Sequence, residues 1–540
     1  MVAVGLRFGL PMLADAGCTG QLRLTVAVAE DIAPVVRQTA QAWSAGEADR
    51  KGLCVTVAIT AAEPSDVAAA ISREQKASLS GLDTATGTVA VPDVWIADSS
   101  TWLVRLRAAV PGLSVAQEGS IALSPVVLAM PAPVAQKAGW PDRELTYRDL
   151  VREVTTSTTL RSGIVEPARD AVGLSGLLAL NSTAGSALPG VLHALATGRS
   201  ALRANLLQEF PQASDEASVA SALGFAPLSE QDVITYNNAS PSVPLVAVYP
   251  SPAALPLDYP FLVMPGAASA QAAAAESLYH ALRGSADSLS RAGFRNADGS
   301  SAASFSRPTG APATIATPQP GRQLVDVVAI NRALAGWSGV VAPARLLAVL
   351  DASRSMTDPV VRGGGDSRMA VTLAAARGGL GLFSDDWQVG IWEFDGATHR
   401  QLVPIGQLIN NRSDVARSLT GIAAHGPDTG LYRTILDAYK AVQQGWQAGR
   451  VNSVLVMTDG VNAATGGDLT LTDLQAQLTA LKDPGRPVQI VIVGVGDAVA
   501  RAPLDEITRT VGGGVFVATD PTQVVDVFSR AIALRVAVSR

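Results

Sequence analysis

Residues that build soft-metal sites are scarce in this chain. Its 540 residues include two cysteines and four histidines. Two cysteines cannot form a zinc site alone, and the histidines lie far apart in sequence, at His193, His280, His399 and His425. Motifs of common enzyme classes are also lacking: there is no Gly-x-Ser-x-Gly, no phosphate-binding loop and no His-Glu-x-x-His. We therefore expect neither a zinc protein nor an enzyme.

Basic clusters are lacking as well. Lys and Arg number 41 against 47 Asp and Glu, for a formal net charge of −6, and aromatic residues make up 5%. Nucleic-acid binding needs clustered Lys and Arg to neutralise phosphates. Nucleic acid is therefore not expected as a partner, whereas mild acidity suits a protein that collects cations locally.

Long apolar runs are few. Val2–Ala14 is apolar apart from Arg7, which is too short to span a bilayer. It resembles the end of a signal or anchor segment whose basic start is missing. We interpret residues 1–17 as the remnant of such a segment, and expect the true start, with a membrane anchor, upstream of residue 1. Ala-Gly-Cys18 would suit a lipoprotein signal, but Asp15 stands where such signals usually carry Leu.

The two cysteines stand close to predicted strands. Cys18 comes shortly before one strand, and Cys54 begins the run Cys54–Ile59. We expect a disulfide between Cys18 and Cys54 that joins neighbouring strands; the alternative is two buried free thiols. A bridge closing a loop of this length adds about 3–4 kcal/mol and indicates an oxidising compartment.

Short β-branched runs alternate with helical stretches from residue 22 onward. Predicted strands are Leu22–Val28, Cys54–Thr60 and Val91–Ala97; predicted helices are Asp31–Trp43, Ser65–Ser72 with Ser65 as its cap, and one from about Ser100. This alternation indicates a parallel sheet covered by helices. Later strands are predicted at Ser124–Met130, Leu245–Tyr249 and Tyr259–Met264. A second lobe, about residues 131–245, is therefore inserted into a two-lobed domain over residues 18–296.

Residues 297–342 are predicted to be a linker and a helix. Asn296–Gly321 is rich in Ser, Ala, Pro, Thr and Gly, so we expect it to form no core. A second α/β domain, doubly wound and Rossmann-like, is predicted over residues 343–540. Its strands are Leu346–Leu350, Gln388–Phe394, Ser453–Met457, Val488–Val493 and Gly514–Ala518; its helices are Met369–Leu380, Leu431–Gln443, Leu471–Ala480 and Pro521–Val536.

Oxygen-bearing side chains gather at predicted strand ends of this second domain. Asp351, Ser353 and Ser355 follow the first strand at alternate positions, so all three can point at one centre. Thr429 precedes a helix, and Asp459 closes a buried strand. In an open parallel sheet, ligands bind beyond the carboxyl ends of the strands. Hard oxygen ligands suit Mg²⁺, Mn²⁺ or Ca²⁺.

Asp351-x-Ser353-x-Ser355, Thr429 and Asp459 together resemble the metal-ion-dependent adhesion site of von Willebrand factor A domains. The resemblance implies that the three hydroxyls bind the metal and that both aspartates act directly or through water. Only two carboxylates then face the ion, so one position stays open. An Asp or Glu of a protein partner could fill it, as in adhesion proteins with this site.

The resemblance covers about residues 343–540, including Glu393-Phe-Asp395 and Val-Gly-Val-Gly-Asp497. Alternatively, Asp351 and Ser353 cap the following helix, but this leaves the other three site residues unexplained. Arg354 stands at a variable position. Asp358 and Asp395 either tune the metal or are solvated loop charges, and we favour the second.

Residues 20–296 resemble a type 2 periplasmic solute-binding protein through Ile121–Val127, Gly163–Gly173 and Leu257–Phe261. The fold expected is thus α/β, a two-lobed periplasmic-binding-protein-like domain followed by a von Willebrand factor A domain. In that family a small molecule lies in the cleft between the lobes, and a helix start after Gly163–Val165 would attract anions. Candidate contacts are Ser99, Ser100, Ser124, Asp170, Ala171, Val172 and Tyr259. Alternatively, these are turn and cap residues of a scaffold that binds no solute.

These features predict an extracytoplasmic binding and adhesion protein of the cell envelope, secreted or membrane-anchored. Its expected cofactor is Mg²⁺, or Mn²⁺ or Ca²⁺ in its place. One alternative is a solute receptor of a transport system. Another is an accessory subunit of a chelatase-like metal-insertion complex, which would need a cytosolic ATPase and so conflicts with the expected disulfide.

The disulfide can be tested directly. Mass spectrometry without reductant should find a peptide pair joined through Cys18 and Cys54, because the two predicted strands lie side by side. Alkylation of both cysteines in the native protein would refute the bridge.

Overall fold

The computed structural model describes residues 20–51, 53–79, 81–82, 89–156, 160–316, 326–361, 364–383, 385–396, 398–425, 430–460, 462, 469–497 and 499–519. The chain forms two compact units. The first contains most of the chain before residue 331; the second contains the rest, together with Arg148–Thr158 and Leu180–Gly198. In the ranges just given, no helix is long and apolar enough to cross a membrane.

The first lobe is built on a five-stranded sheet. Its early elements are β1 Gly20–Val28, α1 Ala33–Lys51, β2 Leu53–Ala61, α2 Pro64–Glu74, β3 Val94–Ile96, α3 Thr101–Ala109, β4 Ala116–Ser120 and β5 Ala122–Leu123. The predicted alternation of strand and helix is confirmed here. The predicted Ser65 cap is wrong, because α2 begins at Pro64, whose fixed φ suits the first helical position, and Glu63 before it makes no side-chain cap.

The second lobe follows the crossing strand β6. The elements along this part of the chain are β6 Val126–Pro131, α4 Ala132–Lys137, α5 Tyr147–Thr156, β7 Arg161–Ser162, β8 Ile164–Val165, α6 Ala171–Ala184, α7 Leu188–Thr197, β9 Arg199–Ser200, α8 Arg203–Gln208, α9 Glu216–Ser221, β10 Leu223–Ser229, α10 Glu230–Asn238 and β11 Leu245–Val248. Of these, α7, nearly all of α5 and the end of α6 belong to the second unit. Four of these strands form a sheet in the order β11-β6-β10-β7. Its core contains buried Val127, Phe210 and Leu228.

The chain then returns to the first lobe with β12 Pro260–Val263, α11 Ser269–Arg283, α12 Ala286–Arg291 and β13 Arg295–Asn296. The first-lobe sheet has the order β2-β1-β3-β12-β4, with β1 parallel to β2 and β3 and with β12 antiparallel. Because β1 and β3 are parallel neighbours, the residues that follow them meet at one edge of the sheet.

The expectation of a core-free linker after Asn296 is wrong for its described part, residues 297–316. Phe305 is buried, and the Arg295 guanidinium lies 5.2 Å from its ring centroid. Arg295 also donates to the carbonyls of Pro312 and Ala313, at 3.0 and 3.3 Å. Contacts of Phe305 and Arg295 thus pack a segment whose Ser-, Pro- and Gly-rich composition predicts a linker without packing contacts.

The second unit contains a six-stranded sheet. Its elements are α13 Val327–Val341, β14 Ala344–Asp351, α14 Arg368–Leu382, β15 Gln388–Asp395, β16 Thr398–Gln407, α15 Leu408–Gly421, α16 Leu431–Gln444, β17 Val451–Thr458, α17 Leu471–Leu481, β18 Gln489–Val495, α18 Arg501–Val511 and β19 Gly513–Ala518. The order is β16-β15-β14-β17-β18-β19, parallel except for the edge strand β16. Helix Pro521–Val536, predicted above, lies outside the described residues.

Alternate residues of the central strands face two separate cores. Leu346 and Leu350 of β14 join one cluster, whereas Leu347 and Val349 join the other. Every residue of β17 is buried. Strands covered on both faces read as continuous apolar runs, which is why β14 and β17 were predictable. The edge strand β16 was missed, because most of its residues are exposed or only half-buried.

A buried ion pair stabilises the end of the first unit. Arg295 and Glu230 are both 0% exposed and form two hydrogen bonds of 2.7 Å. Arg295→Met should lower the free energy of unfolding by about 3–5 kcal/mol, since the Glu230 carboxylate would stay buried without a cation, with the Tyr249 hydroxyl as a remaining donor. Calorimetry of the full chain measures this. The double change Arg295→Met with Glu230→Leu should cost less than Arg295→Met alone; an equal or larger cost would contradict the ion-pair account.

Candidate functional site

Two neighbouring parallel strands of the second unit end in carboxylates. β14 pairs with β17 so that Leu350 lies beside Met457. Asp351 is the last residue of β14, and Asp459 directly follows the last residue of β17. Both side chains are buried, with Asp351 0% and Asp459 3% exposed. The parallel register thus brings two residues 108 positions apart to one edge of the sheet.

Both oxygens of Asp351 are bonded to the surrounding chain. Oδ1 accepts from the Ser353 N–H at 2.9 Å, and Oδ2 accepts from the Thr458 hydroxyl at 2.6 Å. Burial, with a smaller contribution from the negative charge of Asp459, raises the pKa of Asp351 to about 6, although the hydrogen bonds from Ser353 and Thr458 lower it. Asp351 is thus a fixed carboxylate in a place that disfavours its negative charge unless a cation is close.

Ser353 and Ser355 bring two hydroxyls together. Ser353 is 1% exposed and precedes a short 3₁₀ turn, Arg354–Thr357. The turn places the two Oγ atoms 3.1 Å apart, so that one hydroxyl donates a hydrogen bond to the other. Around an octahedral Mg²⁺ with ligands at about 2.1 Å, neighbouring oxygens are about 3 Å apart. The hydroxyl pair therefore fits two adjacent positions of a hard cation.

Arg368, at the start of α14, contacts two of the predicted site residues, Asp459 and Ser355. Its Nη1 donates to Asp459 Oδ2 at 3.0 Å and to the Ser355 carbonyl at 3.3 Å. The predicted residues Ser355 and Asp459 therefore lie close together. Sequence reasoning missed Arg368, because a lone arginine after Ser367 is an ordinary helix start and carries no local signal.

Thr429 lies outside the described residues, so its place at this site stays a prediction. The chain on either side of it is described. The His425 N–H donates to the carbonyl of Ala352 at 2.9 Å, directly after Asp351. On the other side, α16 begins at Leu431, and the N–H of Tyr432 donates to Asn462.

The additional carboxylates differ in surroundings. Asp358 is 63% exposed and 3.9 Å from Arg368. Asp395 lies 2.9 Å from the His425 imidazole, which is also 3.7 Å from Glu393. Among the residues that the structure describes, no three His, Cys, Asp or Glu side chains come together as a metal site. A metal here would need the hydroxyls.

The predicted cleft residues fall into two groups. Ser99 accepts from Thr101, and the Ser100 N–H donates to Asp258. Ser124 is 0% exposed and accepts from the Gln231 N–H. These three serines thus have bonds within the scaffold.

The other predicted cleft residues surround an arginine that sequence reasoning did not find. Asp170 precedes α6 and accepts from the N–H groups of Val172 and Gly173; Ala171 is buried at the helix start. Tyr259 donates to Asp31 at 2.5 Å. Both aspartates also contact Arg203, from the second lobe.

Two parts of the chain match known protein families. Residues 24–295, half of the chain, match the family of bacterial extracellular solute-binding proteins. The chain belongs to this family. Residues 346–530 match the von Willebrand factor type A domain. The chain therefore carries a von Willebrand factor type A domain after its solute-binding-family domain, and both resemblances predicted from motifs are confirmed.

Two longer relatives are found in Mycobacterium tuberculosis, in strains CDC 1551 / Oshkosh and H37Rv. The uncharacterized proteins MT1884 and Rv1836c are each 27% identical over 537 residues, covering 93% of this chain and 75% of theirs. Among solved structures, a von Willebrand factor type A protein from Catenulispora acidiphila is 17% identical with a TM-score of 0.30, over 36% of this chain and 43% of that one. The sulfate-binding protein SubI from Mycobacterium tuberculosis is 17% identical with a TM-score of 0.34, over 52% and 88%.

Substitution of Asp351 by Asn tests whether its negative charge destabilises the metal-free protein. Asp351→Asn should leave the metal-free melting temperature at neutral pH unchanged or higher, because the folded state raises the carboxyl pKa and so disfavours the ionised form. Differential scanning fluorimetry in EDTA measures this, with Asp358→Asn as the exposed control. A large loss of metal-free stability would instead show that the negative charge of Asp351 stabilises the metal-free fold, which the raised pKa argues against.

Proposed function

We propose that the von Willebrand factor A domain binds a divalent cation, Mg²⁺ or in its place Mn²⁺ or Ca²⁺, through Asp351, Ser353, Ser355, Thr429 and Asp459. The 3.1 Å separation of the two serine hydroxyls carries this proposal. Ser353 and Ser355 bind the ion directly. Asp351, whose oxygens already accept two hydrogen bonds, acts through water.

Charge at the site favours an acidic partner. Two carboxylates face the cation, and one of them, Asp459, is already paired with Arg368. The protein therefore supplies little more than one uncompensated negative charge to an ion of charge 2+. A hard cation with excess positive charge attracts a further carboxylate. We propose that an Asp or Glu of a protein partner fills the remaining position.

The protein acts by binding and adhesion, since both of its families are binding families. We place it outside the cytoplasm, in the cell envelope, because its N-terminal family is extracellular. The proposed Cys18–Cys54 disulfide fits this compartment. Cys54 lies in β2 beside Gln21 of β1, whereas Cys18 is outside the described residues. A role as a solute receptor is the second candidate, favoured by the family of residues 24–295.

Calorimetric titration of the full chain with Mg²⁺ or Mn²⁺ tests the metal site. The wild type should bind one ion and melt at higher temperature with it. Asp351→Ala should lose both effects, since it removes a carboxylate that holds the ion, whereas Asp358→Ala should keep them. A wild type that takes up neither ion contradicts the proposal. Capture of a partner from envelope extracts should then depend on Asp351 and be lost in EDTA.

A further inference from the structure

Arg203 lies in a cage of four aspartates. Its guanidinium is 2.8 Å from Asp170, 3.3 Å from Asp98, 3.4 Å from Asp31 and 3.7 Å from Asp232. The arginine side chain is 17% exposed, and Asp98 is 2% exposed. Burial alone would lower the pKa of Arg203, but the four carboxylates raise it well above its ordinary value. Arg203 is thus a permanent cation in a largely buried place.

Each aspartate of the cage is fixed by its own scaffold. One oxygen accepts a local hydrogen bond and the other turns toward Arg203. The local donors are the Ile32 N–H for Asp31, the Trp102 indole for Asp98, the Val172 and Gly173 N–H groups for Asp170, and the Ser229 N–H and hydroxyl for Asp232. A cage held in this way is preorganised for a planar cation.

The cage is assembled from both lobes. Asp31 and Asp98 follow β1 and β3, at the edge of the first-lobe sheet where ligands bind in this type of fold. Arg203 begins α8 of the second lobe. Two other contacts join the same lobes: Arg169 pairs with Asp66 at 3.1 Å, and Arg105 donates to the Ala168 carbonyl at 3.0 Å.

We propose that Arg203 is the resident occupant of the solute cleft and holds the two lobes together without a solute. This inference goes beyond the metal site and does not depend on it. A resident arginine changes which solutes the cleft can bind. The helix-start N–H groups of Val172 and Gly173, which an oxyanion would use, already bond to Asp170.

The charge of the cage reinforces this exclusion. Burial raises the pKa of Asp98 to about 8 and also raises that of Asp31. Even with these two aspartates protonated, the carboxylates of Asp170 and Asp232 outnumber the single guanidinium, so the cage repels anions. A solute that enters must replace a guanidinium, and must therefore be a cation with several hydrogen-bond donors. Sulfate, phosphate and carboxylate solutes are excluded from this place.

Chemical rescue of the full-length protein tests the proposal. Arg203→Ala should speed amide hydrogen exchange several-fold in peptides that cover residues 98–106 and 170–176, because the lobes lose their tether. Millimolar methylguanidinium chloride should restore protection in Arg203→Ala by filling the vacated place, whereas sodium chloride at the same ionic strength should not. Arg169→Ala is the matched control, since its ion pair with Asp66 is half-exposed; methylguanidinium should not change its exchange.

The hydrogen-exchange results concern the cleft peptides alone and do not depend on metal binding. Unchanged exchange in Arg203→Ala, or no rescue by methylguanidinium, overturns the proposal. So does calorimetric binding of sulfate by the wild type that is lost in Arg203→Ala, since Arg203 would then bind an anion. If Arg203→Ala does not fold, Arg203→Lys takes its place. Lysine keeps the positive charge but loses the forked hydrogen bonds of the guanidinium, so amide exchange in the cleft peptides should lie between that of the wild type and that of an untethered cleft. Amide exchange equal to the wild type in Arg203→Lys would also overturn the proposal.

Discussion

Parallel pairing of β14 with β17 is the constraint on which the candidate metal site depends. The pairing sets Leu350 beside Met457, so the next residues of each strand emerge at the same edge. Thr458 then reaches Asp351, and Asp459 lies close enough to share Arg368 with Ser355. Strand register thus turns residues from distant parts of the sequence into one set of hard oxygen donors.

The same topological rule operates in the first unit with a different result. Asp31 and Asp98 also follow parallel strands, and they also present buried carboxylates. There the compensating cation belongs to the chain, because Arg203 crosses from the second lobe to meet them. Burial raises the pKa of Asp98, and Arg203 opposes the shift. At the first sheet edge the aspartates are compensated by Arg203 of the chain itself, whereas at the second we propose that an external cation adds to the partners Asp351 and Asp459 already have.

Much of this architecture could be predicted from the sequence because burial leaves a pattern. β14 and β17 each contain an uninterrupted apolar run, Leu346–Leu350 and Val454–Met457. The alternate spacing of Asp351, Ser353 and Ser355 is also visible in the sequence itself. Arg203 and Arg368 could not be found in this way. Each arginine begins a helix, where an exposed arginine is common, so its local sequence carries no signal. The acidic partners are distant in sequence: Asp31 is 172 positions from Arg203, and Asp459 is 91 positions from Arg368. The segment after Asn296 was misjudged because composition does not show that Phe305 meets Arg295.

A crystal of the full-length protein soaked in Mn²⁺ would test the metal site most directly, through the anomalous scattering of the ion. The account predicts one strong peak within coordination distance of both Ser353 Oγ and Ser355 Oγ, with Asp351 and Asp459 around it. A peak absent from this strand edge in a crystal that takes up Mn²⁺ elsewhere would contradict it.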